Sequence, residues 1–232
     1  MSKLKILPIT EDKNSNDKNR KKIETIPEPP FINLIVGPVK TGKSCLLNNL
    51  ILNDNFYGLD YFDEVYIFSP TIYNDNSSRF LQKYCICNDE YSDSKLEKIL
   101  EKQKSYEKKD RPRILLVFDD ILGCIKRGSK INTLCSRYRH FGICGIIFSC
   151  QNYKGIDSRI RQNLTHLNIL SPYPNKTELM KIADELGDIY GGKEAFLKLY
   201  EEATGGERYK FLYCKLMENP PQAFENFDKQ IF

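Results

Sequence analysis

The chain lacks the features of a membrane or secreted protein. No apolar run approaches the ~18–20 residues that a helix needs to span a bilayer. Residues 1–8 contain no apolar signal-peptide region and run directly into charged residues. We therefore expect no transmembrane segment, no signal peptide and no membrane partner.

A metal or disulfide framework is also missing. Of eight cysteines, only Cys85 and Cys87 lie close together, and no second Cys or His pair follows at zinc spacing. Most of the others, such as Cys45, Cys150 and Cys214, are embedded in apolar stretches. This usage favours buried, reduced thiols in a compartment of the cytosolic type.

Neither a strong net charge nor an internal repeat is present. The formal net charge of the 232 residues is +4, which permits a nucleic-acid partner but does not argue for one by itself. Hydrophobic residues make up 41% of the chain, with 13 Phe and 14 Tyr, and this content predicts a packed globular protein. The length suits one sizeable domain and is short for two.

The sequence predicts a disordered N-terminal tail at residues 1–30, followed by one domain at residues 31–232. Residues 11–22 contain almost no apolar side chains, and residues 26–30 are typical of a stiff, extended lead-in. A basic tail that touches DNA is the alternative, but a plain disordered terminus is favoured.

Apolar runs and helical patterns alternate along the domain, which predicts an α/β protein. Runs such as residues 114–118 and 143–149 are typical of strands buried on both faces of a parallel sheet. The segments between them predict helices that flank this sheet. The predicted strands are residues 31–36, 64–69, 113–118, 143–149, 166–170 and 208–217. The predicted helices are residues 45–52, 92–109, 129–139, 176–186 and 192–200, with a short helical turn at residues 157–163.

A complete phosphate-binding loop (P-loop) follows the first predicted strand. Residues 37–44 match G-x-x-x-x-G-K-[ST] between a strand and a helix, the context in which such a match has a mechanism. Its glycines let backbone N–H groups point at phosphate oxygens, and the helix N-terminus adds partial positive charge. Lys43 would reach the β- and γ-phosphates, and Ser44 would bind Mg²⁺. The predicted nucleotide-binding residues are Gly37, Pro38, Val39, Lys40, Thr41, Gly42, Lys43, Ser44 and Cys45.

Two adjacent carboxylates, Asp119 and Asp120, follow the apolar run at residues 114–118. Ligands of open α/β sheets bind outside the carboxyl ends of the strands, so we expect these acids beside the P-loop. Carboxylates there are costly to desolvate unless a cation or a donor meets them. We favour Asp119 as a Mg²⁺ partner and Asp120 as the group that polarises the attacking water. A helix N-cap is the alternative.

Three further side chains are candidates for catalysis. Gln151 follows the predicted strand at residues 143–149, where a polar side chain can sense the γ-phosphate or orient water; an ordinary loop glutamine is the alternative. Arg159 and Arg161 share the predicted helical turn. An arginine delivered to a neighbour's γ-phosphate accelerates turnover by ~10³–10⁵. The choice between Arg159, Arg161 and plain surface arginines stays open on this evidence.

The ordered set of motifs resembles the poxvirus-type genome-packaging ATPases of large DNA viruses and virophages, within the FtsK/HerA superfamily. The resemblance covers roughly residues 31–217. Its motifs, in chain order, are the P-loop, Asp119-Asp120, Arg139-His140, Ser149-Cys150-Gln151 and Arg159-x-Arg161-x-Asn163. Asp120 stands where many members carry the longer Glu, and Cys150 separates a Ser and a Gln that are often adjacent.

This resemblance implies a RecA-like P-loop fold with a mostly parallel central sheet flanked by helices. It implies an ATPase, with ATP and Mg²⁺ as cofactors, that forms a homo-oligomeric ring, pentameric or hexameric, and moves double-stranded DNA into a capsid. Its partners would be capsid or portal-type proteins, in the virion or a viral factory of the host cytoplasm. It suggests Asp119 as the Mg²⁺ partner, Asp120 as the base, Gln151 as a sensor and Arg161 as a finger acting in trans.

Two other functions remain alternatives. A P-loop GTPase switch would use residues 120–123, which match D-x-x-G, and residues 175–178, which nearly match the guanine-reading N-K-x-D but end in Glu178. A nucleotide-gated assembly clamp would bind ATP without hydrolysing it. Residues 95–109 and 126–130 are the candidate DNA-contacting stretches, and for the first of them a solvated helix face is the favoured explanation.

Overall fold

A single sheet of nine strands forms the centre of the computed structural model, which describes residues 25–121, 125 and 128–232. The strands are β1 (Phe31–Val36), β2 (Glu64–Phe68), β3 (Ile86–Asn88), β4 (Ile114–Asp119), β5 (Ile143–Cys150), β6 (His166–Leu170), β7 (Phe211–Lys215), β8 (Gln222–Glu225) and β9 (Lys229–Gln230). Their order is β3-β2-β4-β5-β1-β6-β7-β8-β9. Strands β1 to β6 run parallel, and β7, β8 and β9 continue the sheet in antiparallel pairs.

Helices cover both faces of this sheet. They are α1 (Lys43–Leu52), α2 (Arg79–Tyr84), α3 (Asp93–Ser105), α4 (Lys130–Phe141), α5 (Ser158–Arg161), α6 (Lys176–Leu186) and α7 (Lys193–Thr204). None of the helices in the described part of the chain has the length and apolar character required to cross a membrane.

The core lies in two layers, one on each face. Side chains alternate along β1, so Phe31 and Ile35 pack with apolar residues of α1 and α2, whereas Ile32 and Leu34 pack with those of α3, α4, α6 and α7. Because both faces are covered, all six residues of β1 are buried. The prediction of a mostly parallel sheet flanked by helices is confirmed.

Several predicted boundaries were wrong. The charged helix expected at residues 92–109 spans only Asp93–Ser105, where the Ser92 hydroxyl caps it by accepting from the Lys95 amide at 3.3 Å. The last predicted strand, residues 208–217, begins at Phe211 because Tyr209 has a φ of 67°, which no strand accommodates. The short elements α2, β3, β8 and β9 were missed, since runs of two to six residues carry too little periodicity to stand out.

Residues 25–30, which we assigned to the tail, pack against the domain. Ile26 is fully buried among apolar residues of α1 and the C-terminal strands. The Thr25 hydroxyl donates to the Phe227 carbonyl at 2.5 Å, and the Tyr57 hydroxyl donates to the Pro27 carbonyl. The folded domain therefore begins before residue 31. Residues 1–24 lie outside the described residues.

The seven cysteines that the structure describes are free thiols. Cys135, Cys150 and Cys214 are buried, and burial raises the pKa of the Cys150 and Cys214 thiols to about 12. Cys45, expected to be buried, is exposed because the first turn of α1 opens onto the cleft described below. The described thiols are therefore reduced, and three of them are core residues.

We predict that Ile26→Ala lowers the free energy of unfolding by about 2–5 kcal/mol, because it leaves a cavity at a fully buried site. Ile86→Ala is the matched control: this isoleucine on β3 is 47% exposed, and its loss should change stability by less than about 1 kcal/mol. Urea unfolding followed by circular dichroism measures both. Equal, small effects would mean that residues 25–30 do not belong to the fold.

Candidate active site

A cleft of about 510 Å³ opens at the carboxyl ends of the parallel strands, a size typical of small-molecule sites. It brings together the P-loop, the two acids and the predicted sensor. Its lining residues are Val39, Lys40, Gly42, Lys43, Ser44, Cys45, Thr71, Asp75, Ser77, Asp119, Asp120, Gln151, Arg208 and Tyr209. Gly37, Pro38 and Thr41, the other predicted P-loop residues, lie behind this surface and shape the loop.

The conformation of the P-loop depends on residue types at three of its positions, Gly37, Thr41 and Gly42. The Gly37 amide donates to the Cys150 carbonyl at 3.2 Å, and a Cβ at Gly37 would lie 2.8 Å from the Cβ of Leu170, so only glycine fits. Thr41 closes the loop from inside, since its hydroxyl donates to the Pro38 carbonyl at 2.8 Å. Gly42 has a φ of 101°, a conformation that favours glycine.

Helix α1 begins directly in the cleft. Its N-cap is Gly42, which has no side chain to satisfy the first amides of the helix. Those amides and the positive end of the helix dipole therefore face the space beside the loop. No acidic residue lies in the first turn, so nothing in the helix itself competes for an anion. This arrangement is suited to binding phosphate groups.

The Lys43 ammonium group lies along the inside of the loop. Its Nζ donates to the carbonyls of Gly37 at 2.8 Å and Pro38 at 2.9 Å. Burial lowers the pKa of Lys43, and the negative charges of Asp120 and Asp119 act in the opposite direction. A triphosphate in the cleft would give this cation a stronger partner than two neutral carbonyls.

Asp119 ends β4 beside the strand that precedes Ser69. The Ser69 hydroxyl donates to Asp119 Oδ2 at 2.9 Å, which fixes the carboxylate. Burial raises the pKa of Asp119, and the hydrogen bond from Ser69 lowers it. A carboxylate held in this way, with charge that burial disfavours, is suited to a cation.

Asp120 and Gln151 meet across the ends of β4 and β5. The Asp120 amide donates to the Ser149 carbonyl at 2.9 Å, and Gln151 Nε2 donates to Asp120 Oδ2 at 2.9 Å. The φ of Asp120 is 51°, which turns the chain sharply where the strand ends.

Cys150, between Ser149 and Gln151, is buried, and its carbonyl accepts from the Gly37 amide. The N-cap alternative for Asp120 involves residues 122–124, which lie outside the described residues.

The donor set fits Mg²⁺. No group of three or more His, Cys, Asp and Glu side chains in the described chain could hold a metal ion. A P-loop magnesium needs less from the protein, since water and phosphate oxygens supply most of its ligands. One hydroxyl, from Ser44, and one carboxylate, from Asp119, both line the cleft.

The two arginines lie outside the cleft and differ from each other. Arg161 Nε donates to Glu185 Oε1 at 2.9 Å, its Nη1 donates to the Ile156 carbonyl, and its guanidinium lies over the Tyr153 ring. Its side chain is only 11% exposed. Arg159 is exposed, and its guanidinium makes no ion pair or hydrogen bond with any described residue. Arg161 is therefore held in place, whereas Arg159 is accessible.

Sequence reasoning missed five residues that line the cleft, Thr71, Asp75, Ser77, Arg208 and Tyr209, and also Ser69, which donates to Asp119. Ser69 follows β2, whose end lies beside that of β4, so the rule applied to Asp119 would also have found it. Arg208 and Tyr209 precede β7, which runs antiparallel to β6; Phe211 at its start pairs with Leu170 at the end of β6. The beginning of an antiparallel strand thus lies at the same edge as the ends of the parallel ones. No pattern in the sequence gives that direction.

The guanine-reading segment proposed for a GTPase has a different role here. Asn175 is the N-cap of α6, and its side chain accepts from the Thr177 amide at 3.0 Å. Neither Asn175 nor Lys176 lines the cleft. Residues 122 and 123 of the D-x-x-G match lie outside the described residues.

The raised pKa of Asp119 makes stability depend on pH. Below the unfolded pKa the acid is neutral in both states and has no effect on stability. Between the unfolded pKa and the higher folded pKa, the free energy of unfolding falls as pH rises, because ionisation is easier in the unfolded chain; above the folded pKa the loss is complete. We therefore expect Asp119→Asn to increase the free energy of unfolding at pH 7, with a gain that shrinks towards pH of about 4. Asp89→Asn, at an exposed position, should leave stability unchanged. Denaturant titrations without nucleotide, at several pH values, measure both; an Asp119→Asn variant less stable than the parent at pH 7 would contradict the assignment.

Comparison with solved structures shows the fold. The DNA-packaging ATPase B204 from Sulfolobus Turreted Icosahedral Virus is similar, with 17% identity over 86% of this chain and 98% of that chain, and a TM-score of 0.60. The genome packaging NTPase B204 from Sulfolobus turreted icosahedral virus 2, in complex with sulfate, has 20% identity over 85% of this chain and 97% of that chain, with a TM-score of 0.58. The same NTPase in complex with ATP-gammaS has 18% identity over 85% of this chain and 97% of that chain, with a TM-score of 0.58. The predicted P-loop NTPase fold is confirmed.

Sequence comparison identifies the family. No curated protein sequence matches the chain. The family model described as Poxvirus A32 protein matches residues 18–214, which is most of the chain. This chain therefore belongs to the Poxvirus A32 protein family.

Proposed function

We propose that this chain is an ATPase that uses ATP hydrolysis to move double-stranded DNA into a viral capsid. The observation that carries the proposal is the meeting, in one cleft, of the P-loop with Asp119, Asp120 and Gln151. The family membership and the likeness to viral packaging NTPases support packaging as the work that hydrolysis drives.

The P-loop residues would bind the triphosphate of ATP. Backbone amides of the loop and of the first turn of α1 face the cleft, and Lys43 would leave its two carbonyl partners for the β- and γ-phosphates. Ser44 and Asp119 would hold Mg²⁺, with Ser69 orienting the carboxylate. When bound, Mg²⁺ neutralises charge on the β- and γ-phosphate oxygens.

Asp120 would act as the base and Gln151 as its partner at the γ-phosphate. The attacking water would form a new bond to the γ-phosphorus and pass its proton to Asp120, while the β–γ bond breaks towards ADP. Gln151 Nε2 donates to Asp120 Oδ2, and this contact supports a role for the amide in holding the carboxylate and the water together. The carboxylate of Asp120 lines the cleft although its side chain is shorter than that of Glu.

Arg159 is our candidate for the finger that reaches a neighbour's γ-phosphate in a homo-oligomeric ring, pentameric or hexameric. We prefer it to Arg161, which the resemblance suggested, because Arg161 would have to break its contacts with Glu185 and Ile156. Arg161 instead stabilises the short helix α5 that carries Arg159. Capsid or portal-type proteins remain the proposed partners, and the virion or a viral factory the proposed location.

Contact with DNA should be to phosphates, and therefore salt-sensitive and independent of sequence. Helix α3 is a weaker candidate for that contact, because three of its four lysines are already engaged: Lys95 with Glu90, Lys102 with Glu64, and Lys104 with the Phe141 ring. Its fourth lysine, Lys98, is exposed. In the second candidate stretch, Lys130 pairs with Glu97. Lys126 and Arg127 lie outside the described residues.

Phosphate release from ATP and GTP, with and without double-stranded DNA, tests the function. We expect ATP hydrolysis that DNA accelerates, and less acceleration as salt rises. Asp120→Asn should bind ATP but lose at least about 100-fold in turnover, since the proton acceptor is removed. Lys43→Ala should lose nucleotide binding. Asp89→Asn is the control, an exposed aspartate away from the cleft.

Hydrolysis of GTP alone would favour the switch. Intact function of Asp120→Asn, or no hydrolysis of either nucleotide, would favour the clamp. No observation in the described chain favours either alternative at present.

Mixing experiments test the finger. Arg159→Ala should keep ATP binding and lose about 10³-fold or more in turnover, whereas Arg79→Ala, at an exposed position on α2, should have no effect. Mixing Arg159→Ala with Asp120→Asn subunits should restore part of the activity, because an intact site then receives an intact finger from its neighbour. Arg161→Ala should lower the melting temperature instead, since it leaves Glu185 and the Ile156 carbonyl without their partner. No recovery at any mixing ratio would contradict a shared site.

A further inference from the structure

One wall of the cleft has no role in the chemistry above. It is formed by the turn between α7 and β7, which contains Arg208 and Tyr209. The turn is fixed beside the P-loop, because the Lys210 carbonyl accepts from the Ser171 amide at 2.8 Å, one residue after β6. Lys210 also forms ion pairs with Glu207 and Glu225. The residue that follows Tyr209 is thus anchored through both its main chain and its side chain.

The Tyr209 ring lies against the last glycine of the P-loop. A Cβ built on Gly42 would lie 3.0 Å from Tyr209 Cδ1 and 3.7 Å from Cε1, so the ring is in close contact with the loop at this glycine. Tyr209 is nevertheless 61% exposed and lines the cleft. It makes no aromatic contact or hydrogen bond with any described side chain, so its exposed face is available to a ligand.

The backbone of Tyr209 supports a ligand-binding role. Among described residues, four non-glycine residues have positive φ: Lys40, Asp120, Tyr209 and Asn226. The first three line the cleft, and of these Asp, like Asn, tolerates this conformation more readily than Lys or Tyr. Gly205 and Gly206 stand in the same turn, yet the strained position is occupied by a bulky aromatic residue. Strained residues of this kind cluster at ligand sites, where surrounding contacts hold them.

We propose that Tyr209 forms the nucleobase subsite of the cleft, with its ring stacked on the base of the nucleotide whose phosphates the P-loop holds. This inference rests on the proposed nucleotide-binding function. A flat, exposed ring beside the first turn of α1 suits the π-face of a base, and such stacking is tolerant of base identity. Tyr209 would therefore add affinity for ATP and GTP alike and none for the phosphates themselves.

Equilibrium binding of ATP, GTP and inorganic tripolyphosphate to the full chain, with Mg²⁺, tests the subsite. Tyr209→Ala should weaken ATP and GTP about tenfold and leave tripolyphosphate unchanged. Tyr209→Phe should bind all three within about twofold of the parent, since the ring remains. Tyr209→Asn, which removes the ring and tolerates positive φ, should match the Ala variant. Tyr84→Ala, at a 50% exposed tyrosine outside the cleft, is the control.

Two results would overturn the subsite. Unchanged ATP affinity in Tyr209→Ala and Tyr209→Asn would mean that the ring does not touch the base. Equal weakening of ATP and tripolyphosphate would mean that the ring only supports the P-loop through Gly42. Neither result depends on hydrolysis or DNA, so the subsite can fail while the ATPase stands. Conversely, a tenfold loss of affinity for ATP but not for tripolyphosphate would support the subsite even if DNA did not stimulate turnover.

Discussion

The hydrogen bond from the Gly37 amide to the Cys150 carbonyl joins the P-loop to the end of β5, directly before Gln151. That bond is possible only because Gly37 has no Cβ, since its neighbour Leu170 leaves no space for one. The loop, the end of β5 and the end of β6 therefore meet at one point. This junction brings Gln151, the residue after Cys150, to the same cleft as the P-loop.

Opposite charges lie close together within the same small volume. Burial lowers the pKa of Lys43 and raises that of Asp119, so desolvation disfavours the charged form of both groups, while their mutual attraction favours it. A bound Mg²⁺ and triphosphate would supply the missing partners of both charges. The strained backbone at Lys40, Asp120 and Tyr209 surrounds the same volume. The site thus holds unfavourable charge and conformation that the rest of the sheet stabilises.

Away from the cleft, ion pairs hold the segment between β5 and β6. Glu185 on α6 binds both Lys154 and Arg161, and so fixes the segment between β5 and β6. That segment ends in α5, which presents Arg159 on its exposed side. The proposed finger would therefore extend from a helix that is held in place, and its guanidinium makes no ion pair with any described residue.

The sequence by itself determined the P-loop, the parallel strands and the acids at the end of β4. A continuous apolar run reports burial on both faces, and Gly-x-x-x-x-Gly-Lys-Ser has few other physical uses. Both signals are formed by residues close together in the chain, so they can be recognised from the sequence alone. Only the tertiary structure decided which strands are neighbours, and hence that Ser69 holds Asp119 and that Gln151 reaches Asp120. It also separated Arg159 from Arg161 through Glu185, 24 residues away in sequence from Arg161. Tyr209 entered the cleft because β7 runs antiparallel to β6, a direction set by packing across the sheet rather than by any residue near position 209.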